Sequence, residues 1–134
     1  MDNRIKLLIV DDSLTIRAMM EQVIARDPAI DIIGAASSGE QALEMIARHL
    51  VDVVTIDIAM PGMDGLALVE KVMADGLAVP LVVSGHIQRR VEAIQRGAMG
   101  FFDKSRLMPD SKKLLTMIKQ AGRGTLRRPS SEAA

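Results

Sequence analysis

The chain has 134 residues, 17 Lys and Arg against 17 Asp and Glu, and no cysteine. That length suits one domain with a substantial core. The charge balance excludes a global field drawing the chain to nucleic acid or membrane, and the missing cysteine excludes disulfides and thiolate chemistry.

The first residues, MDNRIKLLIVDD, lack the small-residue cleavage site of a signal peptide. Ile5–Val10 is predicted as a strand. Leu14–Ala25 carries apolar residues at helical spacing (Leu14, Ala18, Met19, Val23, Ile24) and stops at Asp27-Pro28. Ile30–Ala36 is a second strand. Ser38 and Gln41 form a capping-box pattern that opens a helix to about His49. Val51–Ile56 is a third strand, and Gly65–Asp75 a helix closed by Gly76. Pro80–Val83 is a fourth strand, Ile87–Arg96 a helix closed by Gly97, and Gly100–Phe102 a short fifth strand. Asp110 is placed to cap a last helix that turns Leu114, Leu115, Met117, Ile118 and Ala121 inward. Residues 1–121 then form one domain. Residues 122–134, a basic and polar tail with little to bury, are expected to be disordered. No apolar run reaches the length of about 18 residues that would suggest a membrane span. The two aromatic residues, Phe101 and Phe102, are too few for a base-stacking platform, and the pairs Arg89-Arg90 and Arg127-Arg128 are too short for a nucleic-acid site.

Strict alternation of strand and helix implies an α/β fold: a single doubly wound domain, with a parallel five-stranded sheet covered on both faces. The common strand order for such a chain is 2-1-3-4-5, and its functional crevice lies beyond the carboxyl ends of the strands. The residues at those ends are Asp11 and Asp12, Asp57, Ser84 and Lys104.

Three carboxylates at neighbouring strand ends repel by about a few kcal/mol per close pair at an effective dielectric of about 20. Proton uptake or a divalent cation relieves this. An all-oxygen donor set suits Mg²⁺ or Mn²⁺ rather than zinc. With a metal present, one carboxylate can act as a nucleophile towards a phosphoryl group. Such a group also needs a cation, for which Lys104 is placed, and a hydroxyl donor, for which Ser84 is placed. The glycines of MPGMDG, residues 60–65, permit a tight turn that exposes a backbone carbonyl near the metal.

The segments IVDDS (9–13) and DIAMPGMDG (57–65), with Ser84 and Lys104, resemble the response-regulator receiver domain of two-component signalling. The resemblance spans about residues 5–121 and is closest in flavour to chemotaxis-type, CheY-like receivers of flavodoxin-like fold. It implies that Asp57 is the phosphoacceptor, that Asp12 binds Mg²⁺ directly and Asp11 through water, and that Ala59 lends its backbone carbonyl. Ser84 is then the switch hydroxyl, Lys104 the phosphate-pairing lysine, and Phe101 the aromatic switch residue. The implied partners are a sensor histidine kinase or a histidine phosphotransfer protein, with an unidentified downstream protein. A cytoplasmic location and a regulatory, non-metabolic role follow from the same likeness.

Two departures stand out. Ser105 follows Lys104 where receivers often carry a cis proline; a non-proline cis bond costs about 2.5–4 kcal/mol, so a trans bond is expected. The interval from Ser84 to Lys104 is also short, which shortens the start of the fourth helix. Other classes fit less well. A dehalogenase-like phosphatase needs a second Asp where Ala59 stands, and a flavin binder would meet repulsion from Asp11 and Asp12. A degenerate receiver, a phosphoryl shuttle or sink, and a receiver fragment of a longer regulator are the remaining variants.

Overall fold

In the computed structural model, which describes residues 3–124, aliphatic strands alternate with helices from end to end. The elements are β1 (Ile5–Val10), α1 (Leu14–Ile24), β2 (Ile30–Ala36), α2 (Gly39–Arg48), β3 (Val53–Ile56), α3 (Gly65–Ala74), β4 (Val79–Ser84), α4 (Arg90–Gln95), β5 (Phe101–Asp103) and α5 (Ser111–Gly122). Every strand pairing is parallel, and the order is β2-β1-β3-β4-β5, as expected.

Both faces of the sheet are covered. Leu8, Val10, Val54, Ile56 and Val82 pack against α2, α3 and α4 on one side. Leu7, Ile9, Val53, Leu81 and Val83 pack against α1 and α5 on the other. Successive strand residues point opposite ways, so β1 and β3 must be apolar on both sides; this is why they read as continuous runs. Pro80 is tolerated inside β4 because the side on which it lacks an N–H donor faces the short edge strand. Its carbonyl accepts from Met99 N–H at 2.9 Å, below the point where β5 begins.

The helices depart from the sequence pattern in instructive ways. Leu14 is 72% exposed and Ala18 is exposed, although both fit the helical spacing; the face of α1 that is buried carries Met20, Val23 and Ile24. Ser38 Oγ accepts from Gln41 N–H at 3.1 Å as a cap should, but Gln41 Oε1 reaches back to Ser37 N–H, not to Ser38. Asp110 sits at the start of α5 without a side-chain cap. Its carboxylate instead takes Arg106 Nε at 3.0 Å. The helix expected over Ile87–Arg96 is split into a 3₁₀ turn, Ile87–Arg89, and the six residues of α4. Neither His86 nor Arg89 supplies a side-chain cap, so the first turn tightens to satisfy its own backbone groups. Arg89 reaches Glu92 and Asp64, and Arg96 reaches Glu92 and Glu70, tying this short segment to α3. Exposed pairs of this kind contribute about 0.2–1 kcal/mol each. Gly122 still belongs to α5; the remainder of the expected tail from residue 125 lies outside the described residues.

One turn matters directly for the strand ends. After β3 the chain folds back so closely that Gly65 N–H donates to Ile58 O at 3.0 Å. A Cβ on Gly65 would overlap the carbonyl oxygen of Asp57 and lie 2.7 Å from Ile58 Cα. Both neighbours are backbone and cannot swing aside. Gly65→Ala is therefore expected to destabilise the fold by about 1–3 kcal/mol, read as a lowered urea midpoint; an unchanged midpoint would contradict this packing.

Candidate functional site

The sheet continues slightly past its strands and carries the acidic residues with it. Asp11 N–H donates to Ala36 O at 3.0 Å, and Asp57 N–H donates to Val10 O at 2.9 Å. Both aspartates are thus fixed by ladder-type bonds at the edge of the core. The two members of the Asp11-Asp12 pair then face different surroundings: Asp11 is buried and Asp12 is exposed. One carboxylate oxygen from each of Asp11, Asp12 and Asp57 falls within 4.8 Å of the others. At that spacing a pair of full charges repels by about 3 kcal/mol at an effective dielectric of about 20.

Lys104 answers that repulsion. Its Nζ donates to Asp11 Oδ2 at 2.7 Å and lies 3.1 Å from Asp57 Oδ1. The other oxygen of Asp11 accepts Ser13 N–H at 2.8 Å. Asp11 is therefore committed on both sides, while the carboxylate of Asp12 has no hydrogen-bond partner among the described residues. Burial pushes the Asp57 carboxyl above its ordinary value; Lys104 pulls it down, and Asp11 and Asp12 push it up, leaving it raised. Burial would lower Lys104, but hydrogen bonds and attraction from Asp11 and Asp57 outweigh that and hold it raised, so it remains a cation.

The donor set fits a hard divalent cation: three carboxylates, one of them exposed and unengaged. Ala59, two residues past Asp57, is exposed, and its carbonyl accepts no hydrogen bond among the described residues. Ser84 is fully buried at the end of β4, and its oxygen accepts His86 N–H at 3.0 Å, which leaves the hydroxyl proton to donate elsewhere. Phe101 is buried in the core beside α4, and it lines a pocket of about 380 Å³ with Ile87, Arg90, Arg106 and Lys113. No peptide bond among the described residues is cis, so the Lys104–Ser105 bond is trans as expected. The structure thus brings Asp11, Asp12, Asp57 and Lys104 together. Ser84 lies at the neighbouring strand end, and Phe101 belongs to the face covered by α2, α3 and α4.

Sequence reasoning passed over Arg17. This residue of α1 sends Nη1 to the carbonyl of Asp11 at 2.6 Å. Its six-residue separation from Asp11 and solitary charge carried no motif. The role of Gly65 against Asp57 was only half legible, as a turn glycine rather than a close approach.

Residues 7–119 match the family model of the response regulator receiver domain. The chain is 38% identical over 104 residues to a protein-glutamate methylesterase/protein-glutamine glutaminase of Pseudoalteromonas atlantica, which covers 74% of this chain and 27% of that protein. It is 35% identical over 135 residues to the corresponding protein of the group 3 operon of Rhodopseudomonas palustris, over 92% of this chain and 37% of that protein. The chain thus spans well under half the length of these curated relatives. Among solved structures it superposes on the response regulator domain of Thermotoga maritima CheB, with a TM-score of 0.81 and 28% identity over 90% of this chain and 97% of that one. The signal receiver domain of Mycobacterium tuberculosis NarL gives a TM-score of 0.82 and 26% identity, over 91% and 98%. With its strand order, its strand-end acids and this match over nearly its whole folded length, the chain belongs to the receiver domain family of two-component response regulators.

Proposed function

We propose that the chain is a phosphorylation-operated signalling switch in which Asp57 accepts a phosphoryl group from a histidine kinase or another phosphohistidine protein. The observation that carries this reading is the convergence of three carboxylates within 4.8 Å, with one lysine ammonium bonded between two of them. Asp12 and Asp57, the Ala59 carbonyl and, through water, Asp11 would hold Mg²⁺ or Mn²⁺. The cation supplies charge neutralisation for the incoming phosphoryl oxygens. A carboxylate oxygen of Asp57 attacks phosphorus in line, the O–P bond forms, and the P–N bond breaks with its electron pair leaving on the imidazole. Lys104 turns from the carboxylates to pair with a phosphoryl oxygen, and Ser84 donates its free hydroxyl proton to another. That donation draws the end of β4 towards Asp57, and Phe101, already buried beside α4, repacks with it, which reshapes the β4-α4-β5-α5 surface and alters partner binding. Residues 1–121 act as the receiver unit in this reading. The lengths of the curated relatives favour one variant, in which the same unit regulates a longer protein; a phosphoryl shuttle or sink is the other.

Magnesium-dependent addition of one phosphoryl group from acetyl phosphate, seen by intact mass, is the decisive test. Wild type takes up the group and Asp57→Ala does not; no uptake by wild type, or equal uptake by the variant, sinks the reading. Backbone amide shifts on adding beryllofluoride and Mg²⁺ should concentrate in β4, α4, β5 and α5 if the surface changes as described.

The raised Asp57 carboxyl predicts a pH dependence. The folded protein binds this proton more tightly than the unfolded chain does. Its contribution to stability is therefore present below the ordinary carboxylate value and is lost as pH rises through the raised one. Without metal, Asp57→Asn should melt a few degrees above wild type at neutral pH, and the gap should close in acid. A gap that persisted or widened in acid would refute this assignment.

Ala59 is small and exposed beside the phosphoacceptor, so water reaches the phosphoryl group. Ala59→Arg or Ala59→Glu is expected to lengthen the aspartyl-phosphate lifetime several-fold in a chase assay. An unchanged lifetime would mean that access at this side chain does not limit hydrolysis.

A further inference from the structure

We infer that Arg17 is a positioning residue for the metal site: its guanidinium pins the peptide unit that joins Asp11 to Asp12 and so sets where the free carboxylate of Asp12 points. This rests on the proposed use of that site for a divalent cation.

Asp11 and Asp12 are held in contrasting ways. The Asp11 side chain is gripped by Ser13 N–H and by Lys104. The Asp12 carboxylate is gripped by nothing among the described residues, and it sits within 4.8 Å of two other carboxylates. Repulsion alone would turn it out towards water. What limits it is its own backbone, and that backbone is anchored at the Asp11 carbonyl by Arg17 Nη1 at 2.6 Å, in a half-buried setting. A charge-assisted bond of that length is among the stronger ones a carbonyl can accept.

Arg17 is itself well supported. Its N–H closes the first turn of α1 onto Ser13 O at 3.0 Å, and Ser13 Oγ caps the same turn through Ile16 N–H at 3.3 Å. The guanidinium therefore links the start of α1 to the peptide unit between the two adjacent acids. The bond is made to the backbone of a metal-facing residue, in the manner of the outer partners that orient ligands in metal sites.

The sign of the effect separates this role from the two obvious alternatives. Arg17 is a cation near a cation site, so a purely electrostatic role predicts that removing it strengthens metal binding. A purely structural role predicts a lower melting temperature with unchanged metal affinity. A positioning role predicts weaker binding despite the lost repulsion, by about tenfold.

The test is calorimetric titration of metal-free protein with Mg²⁺, with Mn²⁺ paramagnetic resonance as a second probe, on wild type, Arg17→Met and Arg17→Lys. Thermal melting of each metal-free protein is recorded alongside. Arg17→Met should lose about tenfold in affinity for both ions. Arg17→Lys keeps the charge but not the planar fork, so it should also bind more weakly than wild type. Faster hydrogen exchange at Ser13 and slower phosphorylation from acetyl phosphate should accompany the loss. Equal or tighter Mg²⁺ binding by folded Arg17→Met would overturn the inference. So would full affinity in Arg17→Lys if Arg17→Met does not fold. Wild type that binds neither ion would instead remove the proposed function on which the inference rests.

Discussion

The bonds of one lysine ammonium to two buried carboxylates hold the functional end of this molecule together. Lys104 lies 93 residues along the chain from Asp11, and its bonds to Asp11 and Asp57 span the sheet from β5 to β1. Without it, two buried acids and a third exposed one would share a space under 5 Å across with no cation bonded to any of their carboxylates among the described residues. At Asp57 burial, together with the two neighbouring acids, outweighs the ammonium and leaves the carboxyl raised. The site is thus a compromise, and in the proposed function a divalent cation would relieve the repulsion that remains.

The fold makes that compromise affordable by confining it to one edge. Below the strand ends, β1 and β3, apart from Lys6 and Thr55, are apolar on both faces and pack into two separate cores. A two-sided core is stiff because interiors are close-packed. It can hold Asp11 and Asp57 through single ladder bonds without letting them drift apart. The close approach of Gly65 to Asp57 has the same logic on the other side, clamping the turn that carries Ala59. The helix-poor segment between β4 and β5 is built differently. A 3₁₀ turn and a six-residue helix, held to α3 by surface ion pairs, form the covering layer there. In the proposed switch, that is the part that moves.

Much of this was legible in the residues. The alternation of apolar runs with helical periods gave a parallel sheet covered on both faces, and among the few topologies open to it the common order is the one observed. IVDDS, DIAMPGMDG, Ser84 and Lys104 marked the strand ends because charged residues seldom terminate buried strands without a reason. The misreadings have a common cause. Leu14 and Ala18 kept the helical period yet face water, since period alone does not say which stripe meets the sheet. Asp110 had the right type and place for a cap, but Arg106 competed for it and won. The continuous pattern of Ile87–Arg96 hid the missing cap that splits it.

By itself the sequence determined the fold, the family resemblance and the inventory of acids and cation at the strand ends, because periodicity and residue chemistry are local properties. Only the tertiary structure decided how those groups divide the work. Asp11 is taken up by Lys104 and Ser13, Asp12 is left open, and Arg17 anchors the peptide between them. The Lys104 bond joins groups 93 residues apart, and the Ser13 and Arg17 bonds, though near in the chain, need the backbone path of the β1–α1 turn, which residue spacing alone does not give.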